Sequence, residues 1–294
     1  MILREFKRYW KSKLNIAIFV IMSAFIVTSF LSNVHERNEQ FQNIEMGLSL
    51  GHDVADSLFQ YEAMQGGLYH FERLFFLHTG MLFFMLVVFI IGVGINACGK
   101  SFLALKTGYG INMMIRMPYS SYLKKTLIAQ GLYVASFLFT FFVITLLGLI
   151  VFDGGMIEIS KLSAVAFHGE MSMLLYLLIL LGIVFYIIVC KVLLILIASL
   201  SYVFLKNVYL IQFAPVGFFV GAYVFAFMFG NLTHGMSIVA RALIFEHSLV
   251  SLSGLFSWQT DGSIAFTVFQ PLFLLIIFIT FYKLNVTKFG KDYL

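Results

Sequence analysis

The chain has 294 residues, of which 61% are hydrophobic and 11% charged, against about 25% charged in a soluble domain. A water-soluble fold cannot bury that much apolar surface, so lipid must be the solvent for most of it, and length bounds membrane crossings more than domains. In a soluble chain the net charge of +5 would point to nucleic acid; here its distribution points to membrane topology, and no nucleic-acid partner is expected.

The first segment, Met1 to Lys13, spaces Ile2, Leu3, Phe6, Tyr9 and Trp10 at a helical period, with Arg4, Lys7, Arg8 and Lys11 between them. This predicts an amphipathic helix lying in the membrane surface; the alternative is a plain positive flank that sets topology. The apolar run Asn15 to Asn33 follows. It lacks a small-x-small exit and reads as a retained first span rather than a cleaved signal.

Residues 34–73 read as an outer loop with seven acids, Glu36, Glu39, Glu45, Asp53, Asp56, Glu62 and Glu72, and weakly amphipathic stretches at Ile44 to Leu58 and Leu68 to Phe76. A small helical cap and an unstructured acidic loop both fit. The second span is Phe75 to Ala97. After it, residues 98–127 form the longest predicted cytoplasmic segment, in which Gly108 and Gly110 allow a turn, Ile111, Met114 and Ile115 make an apolar stripe, Pro118 stops a short helix, and Ser120 or Ser121 caps the next one. That stripe, with soft methionines Met113, Met114 and Met117, suits docking by another protein; a loop lying on the membrane is the alternative.

Three spans follow at Ile128 to Phe152, Met173 to Leu205 and Val208 to Phe229, and a last one at Ile264 to Tyr282. Met173 to Leu205 is counted once: at ~1.5 Å per residue it extends about 50 Å, whereas two spans with a turn need about 40 residues. The fifth span is interrupted at Pro215 and Gly217. Residues 231–262 carry an apolar stretch, Met236 to Leu255, with Arg241, Glu246 and His247 at its centre, which is costly for a lone crossing. Re-entrant helices dipping in from outside fit better.

Fourteen basic residues against two acids fall on one set of connections, and four basic residues against twelve acids on the other. Six spans with both termini cytoplasmic place the basic set inside. The expected fold is therefore an all-α integral membrane protein, a single transmembrane domain over residues 1–294, in the plasma membrane of a bacterium.

Chemistry is sparse. The histidines, His35, His52, His70, His78, His168, His234 and His247, lie on or near the outer side without metal-ligand spacing, and read as polar surface. Cys98 and Cys190 read as small hydrophobes. No His-Glu-x-x-His occurs, and Gly94-x-x-x-x-Gly99-Lys100-Ser101 has the spacing of a phosphate-binding loop but continues an apolar span with no strand before it, so neither a metalloprotease nor a nucleotide hydrolase is expected, and no cofactor is assigned to this chain. Lys191, inside the fourth span, either snorkels or faces a pore or a partner subunit. With Arg241 and Glu246 it is a candidate for a pathway or interface.

The whole pattern resembles the permease subunits of ABC-2 type exporters: a surface helix before span one, six spans, a cytoplasmic segment between spans two and three, and outer re-entrant helices before span six. The nearest local likeness is the run from Ile111 through Pro118-Tyr-Ser-Ser-Tyr-Leu to Lys124-Lys125, with a looser one at Ala198 to Asn207. The resemblance implies a non-catalytic subunit, a second permease copy or related chain, and a cytoplasmic ATPase dimer holding ATP and Mg. It also implies that Phe6, Tyr9, Ile111, Met114, Ile115, Arg116 and Pro118 lie in ATPase-facing elements. The acidic first outer loop is larger than in minimal members and would favour cationic or amphipathic cargo. An accessory or immunity membrane protein with no pathway is the alternative reading.

Overall fold

The computed structural model describes residues 1–51, 53–63, 66–67, 69–71, 79–107, 112, 115–153, 173–232 and 263–289. Among them there is no strand. Five helices are long and apolar enough to cross a membrane, and Val208–Gly221 adds a shorter apolar stretch, so the chain is a membrane-embedded helical protein.

Helix α1 (Ile2–Trp10) is followed after two residues by α2 (Lys13–Ser49). At 37 residues, α2 is about 55 Å long and overshoots the hydrocarbon by nearly half its length. The loop expected from Val34 is therefore helical to Ser49. The apolar run stops at Asn33, but Glu36, Glu39, Gln40, Gln42 and Glu45 beyond it are good helix formers, which hold a helix in water as well as in lipid. His35 and Glu39 add an i,i+4 contact at 3.2 Å. The helix ends at Leu50-Gly51, and α3 (Ala55–Ala63) folds back on it, with Phe41 and Tyr61 rings 5.3 Å apart. The stretch Ile44 to Leu58 thus straddles a turn instead of forming one segment.

The second span is a continuous rod of three parts: α4 (Thr79–Val93), a π-helical turn (Gly94–Gly99) and α5 (Lys100–Lys106). It runs nine residues past the expected end at Ala97, and α6 (Tyr119–Asp153) starts directly after Pro118. The segment set at 98–127 therefore shrinks from both sides. Ser120 and Ser121 lie in the first turn of α6 and not at its cap; Pro118 instead supplies the carbonyl that accepts from Ser121 N and Tyr122 N.

The long fourth run is one helix, α7 (Met173–Leu200), closed by a 3₁₀ turn at Ser201–Val203, somewhat short of Leu205. Helix α8 (Val208–Leu232) continues through Pro215, and α9 (Ser263–Phe289) outlasts its apolar run by about two turns. Of the re-entrant segment set at 231–262, the first two residues continue α8 and residues 233–262 lie outside the described residues, as do Arg241 and Glu246.

Packing centres on α7, which lies against both α6 and α9, while α2 packs on α4, and α8 on the π turn. The core runs through Met22, Phe89, Tyr133, Phe141 and Ile195. A second cluster, Tyr119, Leu123, Leu127, Leu196 and Leu200, is covered by Phe278, Phe281 and Tyr282 of α9. Asn285 Nδ2 of α9 donates to the Leu200 carbonyl at 2.9 Å, satisfying an acceptor that the end of α7 leaves open.

Between helices in lipid, close approach replaces hydrophobic drive as the source of specificity. A Cβ on Gly94 would collide with the Gln212 backbone carbonyl of α8, whereas one on Gly92 would meet only the side chain of Ile18. Gly94→Ala should therefore cost about 1–3 kcal/mol of stability and Gly92→Ala less, because Ile18 can change rotamer and a backbone carbonyl cannot. Thermal denaturation in detergent checks the order; equal losses would mean that the π turn and α8 are not in backbone contact.

Candidate functional site

Polar side chains buried among apolar helices collect at two places, one near each end of α6. The first lies where α1 meets the bundle. Asn96, in the π turn, places its Nδ2 3.0 Å from the Tyr9 carbonyl, 3.1 Å from Asn15 Oδ1 and 3.0 Å from Tyr133 Oη. Tyr133 Oη donates in turn to Asn15 Oδ1, and Asn15 Nδ2 donates at 3.0 Å to the carbonyls of Tyr9 and of Trp10. These carbonyls close α1, where helix ends leave acceptor capacity to be filled; that of Tyr9 also accepts from Ser12 N at 3.2 Å.

A second chain of contacts runs beside this hub. The hydroxyls of Tyr9 and Ser101 are 2.8 Å apart, and Gln130 Nε2 donates to Ser101 Oγ at 2.6 Å and to the Ala97 carbonyl at 3.1 Å. Trp10 Nε1 donates to Ser136 Oγ at 3.0 Å. Tyr9, Asn15, Asn96, Gln130 and Tyr133 are all buried. Burial raises the Tyr9 hydroxyl above the usual phenol range, so it keeps its proton throughout the physiological range.

This arrangement turns the amphipathic face of α1 inward. Tyr9 is 1% exposed, and Ile2, Phe6 and Trp10 pack against the core, while Leu3 stays 64% exposed. Tyr9, placed by resemblance in an ATPase-facing element, contacts α6 and the second span. Of the other candidates in that set, Ile115 is 78% exposed, Arg116 and Pro118 are exposed, and Phe6 is half-buried. Ile111 and Met114 lie outside the described residues.

The same end of the bundle gathers basic side chains on backbone carbonyls. Lys100 Nζ donates to Arg8 O at 3.5 Å, Lys106 Nζ to Lys206 O at 3.2 Å and Lys288 Nζ to Val203 O at 3.3 Å. Residues from four separate connections, grouped by charge in the sequence, thus share one end of the structure.

The second cluster sits at the far end. Asp153, the last residue of α6, accepts from Arg37 Nη1 of α2 at 2.9 and 3.1 Å, from His70 Nε2 at 2.9 Å and from Gly66 N at 2.9 Å. His70 Nδ1 lies 3.4 Å from Asn33 Nδ2, and the ring stands edge-on to Phe30 at 4.8 Å. Nδ1 accepts there, so the proton sits on Nε2. At 2% exposure, His70 is not the surface residue that the sequence suggests. A Cβ on Gly67 would collide with the backbone of Leu149 and Ile150, so residues 66 and 67 lie directly on the last turn of α6. His35 does fit the surface reading, being exposed; His52, His78, His168, His234 and His247 lie outside the described residues. Among the described residues no group of His, Cys, Asp and Glu has the arrangement to hold a metal.

Lys191 points into the bundle. It is 1% exposed, with Nζ 3.8 Å from the Phe219 ring centroid of α8. That contact, worth about 2 kcal/mol when desolvated, replaces the snorkelling alternative. Cys98 Sγ lies 3.2 Å from Ser199 Oγ of α7, and both cysteines are free and buried, in keeping with their reading as small packing residues. The chain matches no protein-family model, no curated protein and no solved structure.

Two measurements probe the clusters. Asn96→Ala should cost about 1–3 kcal/mol, because it removes the donor shared by the Tyr9 carbonyl, Asn15 Oδ1 and Tyr133 Oη, and Tyr133→Phe about 1–2 kcal/mol. Denaturation followed by Trp10 fluorescence in a Trp258→Phe background reads both. At the far end, Asp153→Ala strands Arg37 and His70 together and should cost about 2–4 kcal/mol, whereas Asp153→Asn should cost less because it keeps the acceptor oxygen for the Gly66 amide. Equal effects of the two Asp153 substitutions in thermal melts would show that the hydrogen bonds contribute nothing beyond charge.

Proposed function

We propose that this chain is the permease subunit of an ATP-driven exporter of the ABC-2 type, working with a separate cytoplasmic ATPase dimer and a second permease copy or related chain. It crosses the membrane six times with both termini in the cytoplasm, and it moves a hydrophobic or amphipathic substrate outward. The basic end of the bundle is then the cytoplasmic end.

The observation that carries this reading is the hub at Asn96. A subunit that does no chemistry of its own must receive work as a mechanical displacement, and a loose surface helix would dissipate it. Here α1 is tied through buried hydrogen bonds to α2, the π turn and α6, so a force on its outer face reaches three membrane helices. The exposed Ile115 just ahead of Pro118 gives the same end a second contact that enters α6 directly. Gly94-x-x-x-x-Gly99-Lys100-Ser101 has the spacing of a phosphate-binding loop but is helical throughout, in the rod of the second span and not between a strand and a helix, so hydrolysis is assigned to a partner. Glu36, Glu39, Glu45 and Asp53, beyond the apolar part of α2, would make the exit acidic and favour cationic cargo.

The test is co-purification. A tagged full-length chain should bring down an ATPase, and replacing Ile111, Met114 and Ile115 together with Asp should reduce the recovered ATPase by about tenfold or more, since buried charge at a contact costs several kcal/mol. The folded bundle should persist, because Ile115 touches solvent and not the core. Recovery of no ATPase with the unaltered chain would favour an accessory or immunity protein instead.

A further inference from the structure

We infer that the outward face of α1 is a binding site for the headgroup of an anionic phospholipid. Helix α1 ends at Trp10 and the membrane-crossing α2 begins at Lys13, so α1 is held at the membrane boundary by a two-residue joint. Its apolar face is already committed to the protein: Tyr9 is buried, Phe6 and Trp10 pack on the core, and hydrogen bonds to Ser101 and Ser136 fix the roll of the helix about its axis. An amphipathic helix free to roll would insert that face into lipid. This one presents its basic face instead.

That face carries Arg4, Lys7, Arg8 and Lys11, all exposed, spaced at three and four residues so that they form a single stripe. An open groove of about 530 Å³ runs along it, lined by these four with Met1 and Leu3. The only acid between Met1 and Lys13 is Glu5, which is turned inward, buried, and paired with Arg8 at 3.3 Å. Lys7 and Lys11 therefore stand exposed on the stripe beside Arg4 and Arg8, while the one carboxylate of α1 is turned away from it.

Two features select a lipid over a free anion. Leu3, beside the stripe, is 64% exposed, and Ile16 and Val20, one and two turns into α2, are 68% and 60% exposed. The stripe thus gives way within one turn of α2 to an apolar lipid-facing surface, which is the order of chemistry along one phospholipid, phosphate first and acyl chain next. Each cation near an anionic membrane surface contributes about a fivefold gain in binding, weakened by salt over a Debye length.

The experiment uses the full chain in mild detergent, offered equimolar phosphatidylglycerol and phosphatidylcholine, with retained lipid counted by native mass spectrometry. The unaltered chain should retain phosphatidylglycerol in preference, and R4Q/K7Q/K11Q should lower that retention by about tenfold or more while leaving phosphatidylcholine and the melting temperature unchanged. K124Q/K206Q/K283Q removes the same charge from the same end of the bundle but not from α1, and should leave the preference intact. Equal retention of the two lipids, an unaffected α1 triple variant, or an equal loss in the control triple variant would each overturn the site. Displacement of the lipid by millimolar inorganic phosphate would assign the stripe to a free anion instead. The outcome is independent of whether an ATPase co-purifies.

Discussion

The hub built on Asn96 is the contact on which the rest of the bundle depends. In lipid, a leucine gains little by leaving the acyl chains for a neighbouring helix, so apolar contact supplies density but little register. A buried amide has no such freedom, because an unpaired donor or acceptor away from water costs about 1–3 kcal/mol. Asn96 reaches one acceptor each from α1, α2 and α6, and only one relative placement of those three helices and the π turn meets all of these contacts. The widened backbone of the π turn is part of the same solution: it carries Asn96 and Cys98 toward different neighbours, with Gly94 and Gly99 lying against Gln212 of α8.

Asp153 makes a matching constraint at the other end. Tyr133 and Asp153 are separated by 20 residues on α6, about 30 Å, close to the thickness of the hydrocarbon. On α2 the corresponding members, Asn15 and Asn33, are 18 residues apart. Polar contacts therefore join α2 to α6 near both membrane surfaces. The space between is filled by rings: Phe19 stands edge-on to Phe141 at 5.3 Å, and Phe89 lies 5.7 Å from Phe137. Carboxylates are unfavourable at a helix C-terminus because the dipole is negative there. Four hydrogen bonds to Asp153 from outside α6 offset that cost and explain why an acid stands in that position.

The crossings were legible in the sequence because about 20 apolar residues in succession have no other economical fate. Their ends were not. A polar stretch such as Glu36 to Met46 satisfies its own backbone by staying helical, and hydropathy reports only where lipid contact stops, not where hydrogen bonding stops. Pro215 gave the opposite error, since a proline marks a weakened turn but α7 and the π turn pack α8 on both sides of it. Lys191 stood out as a charge in an apolar run, whereas Asn15, Asn96 and Gln130 carried the same signal more quietly. Uncharged amides are cheaper to bury and so draw less notice, yet they make the hub. The pairing of His70 with Asp153 spans 83 residues, and nothing local to either residue announces the other.

These constraints divide the bundle into a part that moves as one body and a part that does not have to. α1, α2, the second span and α6 are cross-linked by buried hydrogen bonds, so displacing any one of them separately means breaking several contacts at about 1 kcal/mol or more each, with a larger cost for every group left unpaired. α9 is different. It is the least buried of the long apolar helices, and its described polar ties to the rest are Asn285 to Leu200 and Lys288 to Val203, both near its basic end. The described contacts of Leu274, Phe278, Phe281 and Tyr282 are apolar, and such contacts can be exchanged for lipid at little cost. Under the proposed function a displacement entering at α1 is carried by the cross-linked unit to its far end, while α9 is joined to α7 by apolar packing and the bond from Asn285 to Leu200.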